Sequence, residues 1–117
     1  MYAVASAEEH QGINYVKALV RDLSANDLRS LAAQVNKRTA PSATLLVSQA
    51  DEKANLICIC SEEAVEKGFL AGDVLRELAG KLGGKGGGKP DFAMGGAPAK
   101  SDLEQILSDF PFPPQGS

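Results

Sequence analysis

The sequence lacks tryptophan and has few other aromatic residues, two tyrosines and four phenylalanines among 117 residues. The length of 117 residues fits one domain. Because aromatic residues are few, we expect its core to consist mainly of Leu, Val, Ile and Ala. No apolar run approaches the roughly 20 residues that a transmembrane helix needs. The N-terminus also lacks the basic start and apolar block of a signal peptide. We expect a soluble, cytoplasmic protein that does not contact membranes, with an organellar location left open.

The sequence offers few groups for catalysis or metal binding. His10 is the single histidine and has no Cys, Asp or second His near it in the chain. Cys58 and Cys60 alone do not make a zinc site. We expect both to be free thiols in a strand, with their side chains on opposite faces. No pairing of a nucleophile with a base is recognisable, so we predict no catalytic residue, metal ligand or cofactor in this chain.

Hydrophobic periodicity and turn residues predict an α/β or α+β fold, with a mixed sheet of about four to five strands and helices packed on it. Strands are predicted at residues 2–6, 14–20, 44–48 and 55–60, the last two as an antiparallel hairpin covered on both faces. Ser24 is predicted to cap the first helix and Pro41 to follow its end. Ser61 is predicted to cap a short second helix, and a third helix follows. Ser101 is predicted to cap a last helix after a glycine-rich loop and a short apolar segment. Residues 1–110 are expected to form the domain and 111–117 a flexible tail.

Residues 83–96 are unusual because they contain seven glycines in fourteen positions, between two predicted helices. The whole chain has a net charge of −3, but residues 81–100 contain four lysines and one acid, Asp91. Successive glycine amides can hold a phosphate, and Lys85 and Lys89 would add positive charge around them. The segment is not a Walker loop, because Pro90 follows Lys89 in place of Ser or Thr. A plain mobile surface loop is the alternative.

The same segment, GKGGGKPDFAMGG, resembles a signature near the end of alanyl-tRNA synthetases. That signature has a glycine run, Arg or Lys, Pro-Asp-Met or Pro-Asp-Phe, Ala-Gln, and then small residues. Met94 departs from it, and Lys89 stands where Arg is frequent. The resemblance extends over roughly residues 3–110. It implies the C-terminal globular domain of such an enzyme, the DHH-associated or C-Ala domain.

The function that the resemblance implies is a non-catalytic tRNA-binding appendage of an alanine–tRNA ligase. It would contact the tRNA elbow and support alanylation and editing, with ATP, magnesium and zinc used elsewhere in the longer enzyme. Its partners would be tRNA and the other domains of the synthetase, and homodimerisation is possible. The motif supplies the expected tRNA-binding residues Lys85, Gly86, Gly87, Gly88 and Lys89, and charge alone adds Lys81 and Lys100.

Three alternatives are left open by the sequence. The domain could be a dimerisation or protein-interaction module of the same enzyme. It could instead be the substrate-binding domain of a DHH-type phosphoesterase or nuclease, where the glycine run leads into a histidine. Lys89 and Pro90 occupy that place here, which favours the synthetase branch. Finally, Phe92 and Met94 are expected in the core, but they could stack on nucleobases.

Overall fold

The computed structural model describes residues 2–10, 12–50, 52–98 and 103–110 of the chain. These residues form six strands and four helices. The strands are β1 (Tyr2–His10), β2 (Ile13–Arg21), β3 (Ser42–Ala50), β4 (Lys53–Cys60), β5 (Lys85–Gly88) and β6 (Phe92–Pro98). The helices are α1 (Ala25–Thr39), α2 (Glu62–Glu66), α3 (Ala71–Lys81) and α4 (Leu103–Asp109). None of the helices in these described residues is long and apolar enough to cross a membrane.

All six strands belong to one mixed sheet in the order β1-β2-β3-β4-β6-β5. β2 and β3 are parallel, and α1 forms the crossover that parallel neighbours require. The other four neighbouring pairs are antiparallel. The predicted mixed sheet and the β3–β4 hairpin are therefore confirmed.

Helices cover the two faces of the sheet unequally. On one face, Leu28 and Ala32 of α1 pack with Ile57 of β4 in the smaller core. On the other face, α2, α3 and α4 bury a larger core that includes Leu75 and Leu107. Because β3 and β4 lie in the middle of the sheet, they are covered on both sides, which explains their nearly continuous apolar sequence.

Two serines at helix starts behave differently. The Ser24 hydroxyl accepts a hydrogen bond from the Asp27 amide at 3.1 Å, so the predicted cap of α1 is confirmed. Ser61 stands at the N-cap position of α2 but makes no capping bond with its side chain. Its hydroxyl accepts instead from the Ser42 amide at 2.9 Å. The prediction of a side-chain cap at Ser61 was wrong because this hydroxyl ties the end of β4 to the start of β3.

The two cysteines are free and buried, and both belong to the larger core. The expectation that they point to opposite faces was wrong, because side chains two residues apart in a strand share a face. Their proximity allows a hydrogen bond to Cys60, which together with burial raises the pKa of the Cys58 thiol well above its ordinary value.

The glycine-rich segment is not the predicted loop. It forms β5 and the start of β6, so the sheet has six strands where four to five were expected. Glycine has a low β-propensity, and the strand exists because its backbone pairs with β6 and packs on α3. The last helix is confirmed as α4, whereas Ser101 and the tail lie outside the described residues.

A buried lysine of β2 forms hydrogen bonds with the end of α4. Lys17 of β2 is 7% exposed, and its ammonium donates hydrogen bonds to the carbonyl oxygens of Phe110 at 2.9 Å and Ser108 at 3.3 Å. These carbonyls lie at the end of α4, where positive charge is favoured. Burial lowers the pKa of Lys17, and the nearby carboxylates of Glu8 and Asp109 oppose that shift.

Candidate nucleic-acid interface

A groove lies between α1 and the β5–β6 hairpin. Because α1 packs chiefly on β3 and β4, the same face of β6 and β5 is left open beside it. The groove has a volume of about 510 Å³. Its lining, which we call the hairpin groove, consists of Arg29, Gly87, Gly88, Lys89, Asp91, Phe92, Ala93 and Met94.

Backbone hydrogen bonds fix the turn at the end of this groove. The Lys89 amide donates to the Phe92 carbonyl at 2.8 Å and closes the hairpin. The Pro90 carbonyl accepts from Ala71 at the start of α3, also at 2.8 Å. The Asp91 carbonyl accepts from Cys60 at the end of β4 at 2.9 Å. The turn that carries Lys89 and Asp91 is therefore tied to two neighbouring elements.

Three consecutive positions of β5, 86 to 88, are occupied by glycine for different structural reasons. A Cβ added to Gly86 would lie 3.3 Å from Leu75 Cγ of α3, and one added to Gly88 would lie 2.7 Å from the Phe92 carbonyl oxygen. Close packing therefore explains Gly86 and Gly88. A Cβ on Gly87 would meet nothing within 4 Å, although its φ of +155° is rarely adopted by residues with a side chain. No heavy atom therefore covers the side of Gly87 on which a Cβ would stand, and this residue lines the groove.

The structure places four of the seven residues predicted to bind tRNA in or beside the groove, whereas Gly86 packs against α3. Gly87, Gly88 and Lys89 line the hairpin groove. Lys85 is exposed and lies two residues before Gly87 in β5, so its side chain starts on the same face of the sheet. Lys81 ends α3 on the opposite face of the sheet, away from the groove. Lys100 lies outside the described residues.

Phe92 and Met94 occupy an intermediate environment. Both are half-buried and pack against the smaller core, while their remaining surface lines the hairpin groove. Ala93 between them faces the larger core on the other side of the sheet. The expectation of core positions was thus correct for one part of each side chain, and the exposed part provides an apolar floor.

Sequence reasoning missed Arg29, which is exposed on α1. Its guanidinium carbon lies 5.2 Å from the centre of the Phe92 ring, within the range of a cation–π contact. No signal in the sequence could have paired these two residues, because they are far apart in the chain and meet only through the packing of α1 on the sheet.

The charges of the groove favour an anion. Arg29 and Lys89 line it and Lys85 stands beside it, against the single carboxylate of Asp91. In the part of the chain that the structure describes, no group of three or more His, Cys, Asp and Glu side chains could hold a metal ion. What the arrangement can do is bind a phosphate close to exposed backbone and place a flat ring against an apolar floor.

Residues 12–110, which make up most of the chain, match the DHHA1 domain family. The chain belongs to the DHHA1 domain family. Among its curated relatives are alanine–tRNA ligases, one from Opitutus terrae that is 40% identical over 103 residues and one from Psychrobacter arcticus that is 35% identical over 107 residues. These matches cover 88% and 89% of this chain but 11% and 12% of the relatives. The chain thus spans about a tenth of the length of the curated relatives that it matches.

Solved structures agree with this assignment. The C-Ala domain of alanyl-tRNA synthetase from Aquifex aeolicus superimposes with a TM-score of 0.76 and 26% identity, over 88% of this chain and 92% of that domain. A DHH-domain protein described as a member of a family of ribosomal proteins shares the fold, with a TM-score of 0.58 at 16% identity, over 91% of this chain and 26% of that one. The resemblance to the C-terminal domain of alanyl-tRNA synthetases is confirmed.

Proposed function

We propose that this domain is a non-catalytic tRNA-binding module of an alanine–tRNA ligase, and that the hairpin groove is its RNA-binding surface. It contacts the tRNA elbow and thereby supports alanylation and editing by the longer enzyme. The proposal places the use of ATP, magnesium and zinc in the rest of that ligase. It implies a cytoplasmic enzyme, with an organellar one as the alternative.

The observation that carries the proposal is the open backbone of Gly87 among the cationic groups of Arg29, Lys85 and Lys89. A phosphate can approach a glycine amide more closely than that of any other residue. Lysine and arginine supply the charge that dominates affinity for nucleic acids. The ligases among the relatives act on tRNA according to their names, and the C-Ala domain is part of such an enzyme.

The charge distribution supports a local contact. The chain as a whole carries −3, so its average field repels RNA. Binding through the hairpin groove requires the RNA to keep most of its backbone away from the rest of the surface. An RNA with an exposed corner, such as the tRNA elbow, satisfies this condition better than a straight stem does.

The test is the binding of this chain to a folded tRNA(Ala) transcript, followed by fluorescence anisotropy between about 50 and 200 mM salt. An acceptor-stem minihelix serves as the comparison RNA. We expect tighter binding to the whole tRNA and a steep loss with salt. The slope of log K against log salt is negative, and in the double variant Lys85→Glu/Lys89→Glu its magnitude should decrease by roughly 2 to 4 units, since two attractive charges become repulsive.

The matched control is Lys53→Glu/Lys67→Glu, which makes the same change of net charge at two exposed lysines outside the groove. It should retain most of the affinity. Equal losses in the two double variants would show unspecific attraction and argue against the groove. If the unaltered chain does not bind tRNA but self-associates in sedimentation experiments, it is a dimerisation module instead.

A further inference from the structure

Arg29 approaches the hairpin groove from a different element than the glycine motif. It projects from α1, on the wall opposite β5, and its side chain is exposed. Its guanidinium carbon lies 5.2 Å from the centre of the Phe92 ring, and Phe92 is half-buried against the smaller core. The ring is thus held by the fold, and it provides a fixed surface for an otherwise mobile cation.

This contact changes what the arginine can offer a ligand. A free arginine side chain loses roughly 2 kcal/mol of rotamer entropy when a ligand fixes it. Stacking on Phe92 restricts the side chain before the ligand arrives, so that loss is smaller on binding. The ring holds the guanidinium without being a strong hydrogen-bond acceptor, so the N–H donors of Arg29 keep their capacity for the oxygens of a ligand. The donors are therefore available to a ligand in the groove that Arg29 lines.

The planar fork of an arginine matches two oxygens of a phosphate, which a lysine ammonium cannot do. Lys85 and Lys89, both exposed, supply point charges and attract RNA without orienting it. Arg29 therefore has the geometry for a different task, the placement of one phosphodiester over the open backbone of Gly87.

We propose that Arg29, positioned by the ring of Phe92, binds a single RNA phosphodiester through both arms of its guanidinium and so sets the register of the RNA in the hairpin groove. This inference rests on the proposed function. Phe92 acts here as a positioning residue, because it touches the RNA phosphate only through Arg29.

The experiment measures tRNA(Ala) affinity for the full chain carrying Arg29→Lys, which keeps the charge and removes the fork. We expect affinity to fall about tenfold with an unchanged salt slope, since the number of charges is the same. The control Arg38→Lys makes the same substitution at an exposed arginine near the end of the same helix, outside the groove. It should bind as the unaltered chain does. Arg29 is exposed, so its replacement does not endanger folding.

A double-mutant cycle tests the role of Phe92. Phe92→Leu keeps an apolar side chain and removes the ring, and it should also weaken binding. Because Phe92 acts through Arg29, the variant with both substitutions should bind no more weakly than Arg29→Lys alone. If Phe92→Leu fails to fold, Phe92→Tyr replaces it; this variant keeps a ring and should retain the affinity. Additive losses, or a loss of affinity in Phe92→Tyr, would overturn the positioning role.

The outcomes separate this inference from the proposed function. A chain that binds tRNA and responds to the lysine reversals, but for which Arg29→Lys changes nothing, refutes the inference alone. A chain that binds no tRNA refutes both. Added inorganic phosphate, at constant ionic strength, should not displace the tRNA; displacement at low millimolar concentration would mean that the site takes free phosphate and would also refute the inference.

Discussion

Replacement of Lys17 by methionine removes a buried ammonium and keeps the apolar stem of the side chain. In the structure this ammonium donates to the Phe110 carbonyl at 2.9 Å and to the Ser108 carbonyl at 3.3 Å. Hydrogen bonds to a charged group contribute about 1.5 to 3 kcal/mol each. The desolvation of the ammonium, visible in its lowered pKa, offsets part of that sum. We expect Lys17→Met to lower the free energy of unfolding by about 2 kcal/mol.

The assay is urea unfolding at neutral pH, with a thermal melt as the second measurement. A loss of that size corresponds to a decrease in Tm of about 8 °C for a domain of this length. Hydrogen–deuterium exchange should show where the stability is lost, with faster exchange concentrated in α4 (Leu103–Asp109). The control is Lys37→Met, at an exposed lysine of α1, which should change stability by less than about 0.5 kcal/mol.

An unchanged or increased stability of Lys17→Met would contradict a net stabilising effect of the Lys17 ammonium. It would mean that desolvation cancels both hydrogen bonds, as happens when some buried ion pairs are replaced by apolar residues. A loss of stability without faster exchange in α4 would mean that Lys17 does not hold this helix on the sheet.

Three further predictions concern stability. Between the lowered pKa of Lys17 in the folded state and its ordinary value of 10.5, the unfolded chain binds more protons than the folded chain. The free energy of unfolding of the unaltered chain, measured relative to Lys17→Met, should therefore rise with pH in this window, and urea midpoints at about pH 8 and pH 10 check it. A flat difference would contradict the assigned shift. Gly88→Ala should destabilise the domain by about 2 kcal/mol, because its Cβ would lie 2.7 Å from the Phe92 carbonyl oxygen. By contrast, a Cβ added to Gly80 in α3 would meet nothing within 4 Å, so Gly80→Ala should stabilise the domain by about 0.5 to 1 kcal/mol. Thermal melts measure both glycine variants. Similar effects of Gly88→Ala and Gly80→Ala would argue against the packing explanation.

Much of the fold follows from local patterns in the sequence. The α1 helix could be predicted because Ser24 provides a cap and Pro41 stands after its end, two signals that act within a few residues. The β3–β4 hairpin could be predicted because two apolar runs are separated by a short polar turn. The strand β5 could not, because its sequence from Lys85 to Gly88 has no side-chain pattern, and its conformation depends on pairing with β6.

The candidate site divides in the same way. The glycine motif and its lysines stand out in the sequence because they are contiguous, and they pointed to the region that forms the groove. The different reasons for glycine at positions 86 and 87 could not be predicted, because Gly86 faces Leu75 of α3 and Gly87 faces an open groove. Arg29 could not be predicted for a related reason, because its contact with Phe92 depends on where α1 lies on the sheet.

Four features could be derived from the sequence without the structure: the helices with strong caps, the central apolar strands, the acidic net charge with a local cluster of lysines, and the family to which the chain belongs. These features are set by interactions between residues that are close in the chain, or by a contiguous motif. Only the folded structure shows that the glycines form an edge strand, that Lys17 is buried at the end of α4, and that Arg29 and Lys89 line one groove. Each of these depends on contacts between residues that are distant in the chain, and no local propensity or spacing encodes such contacts.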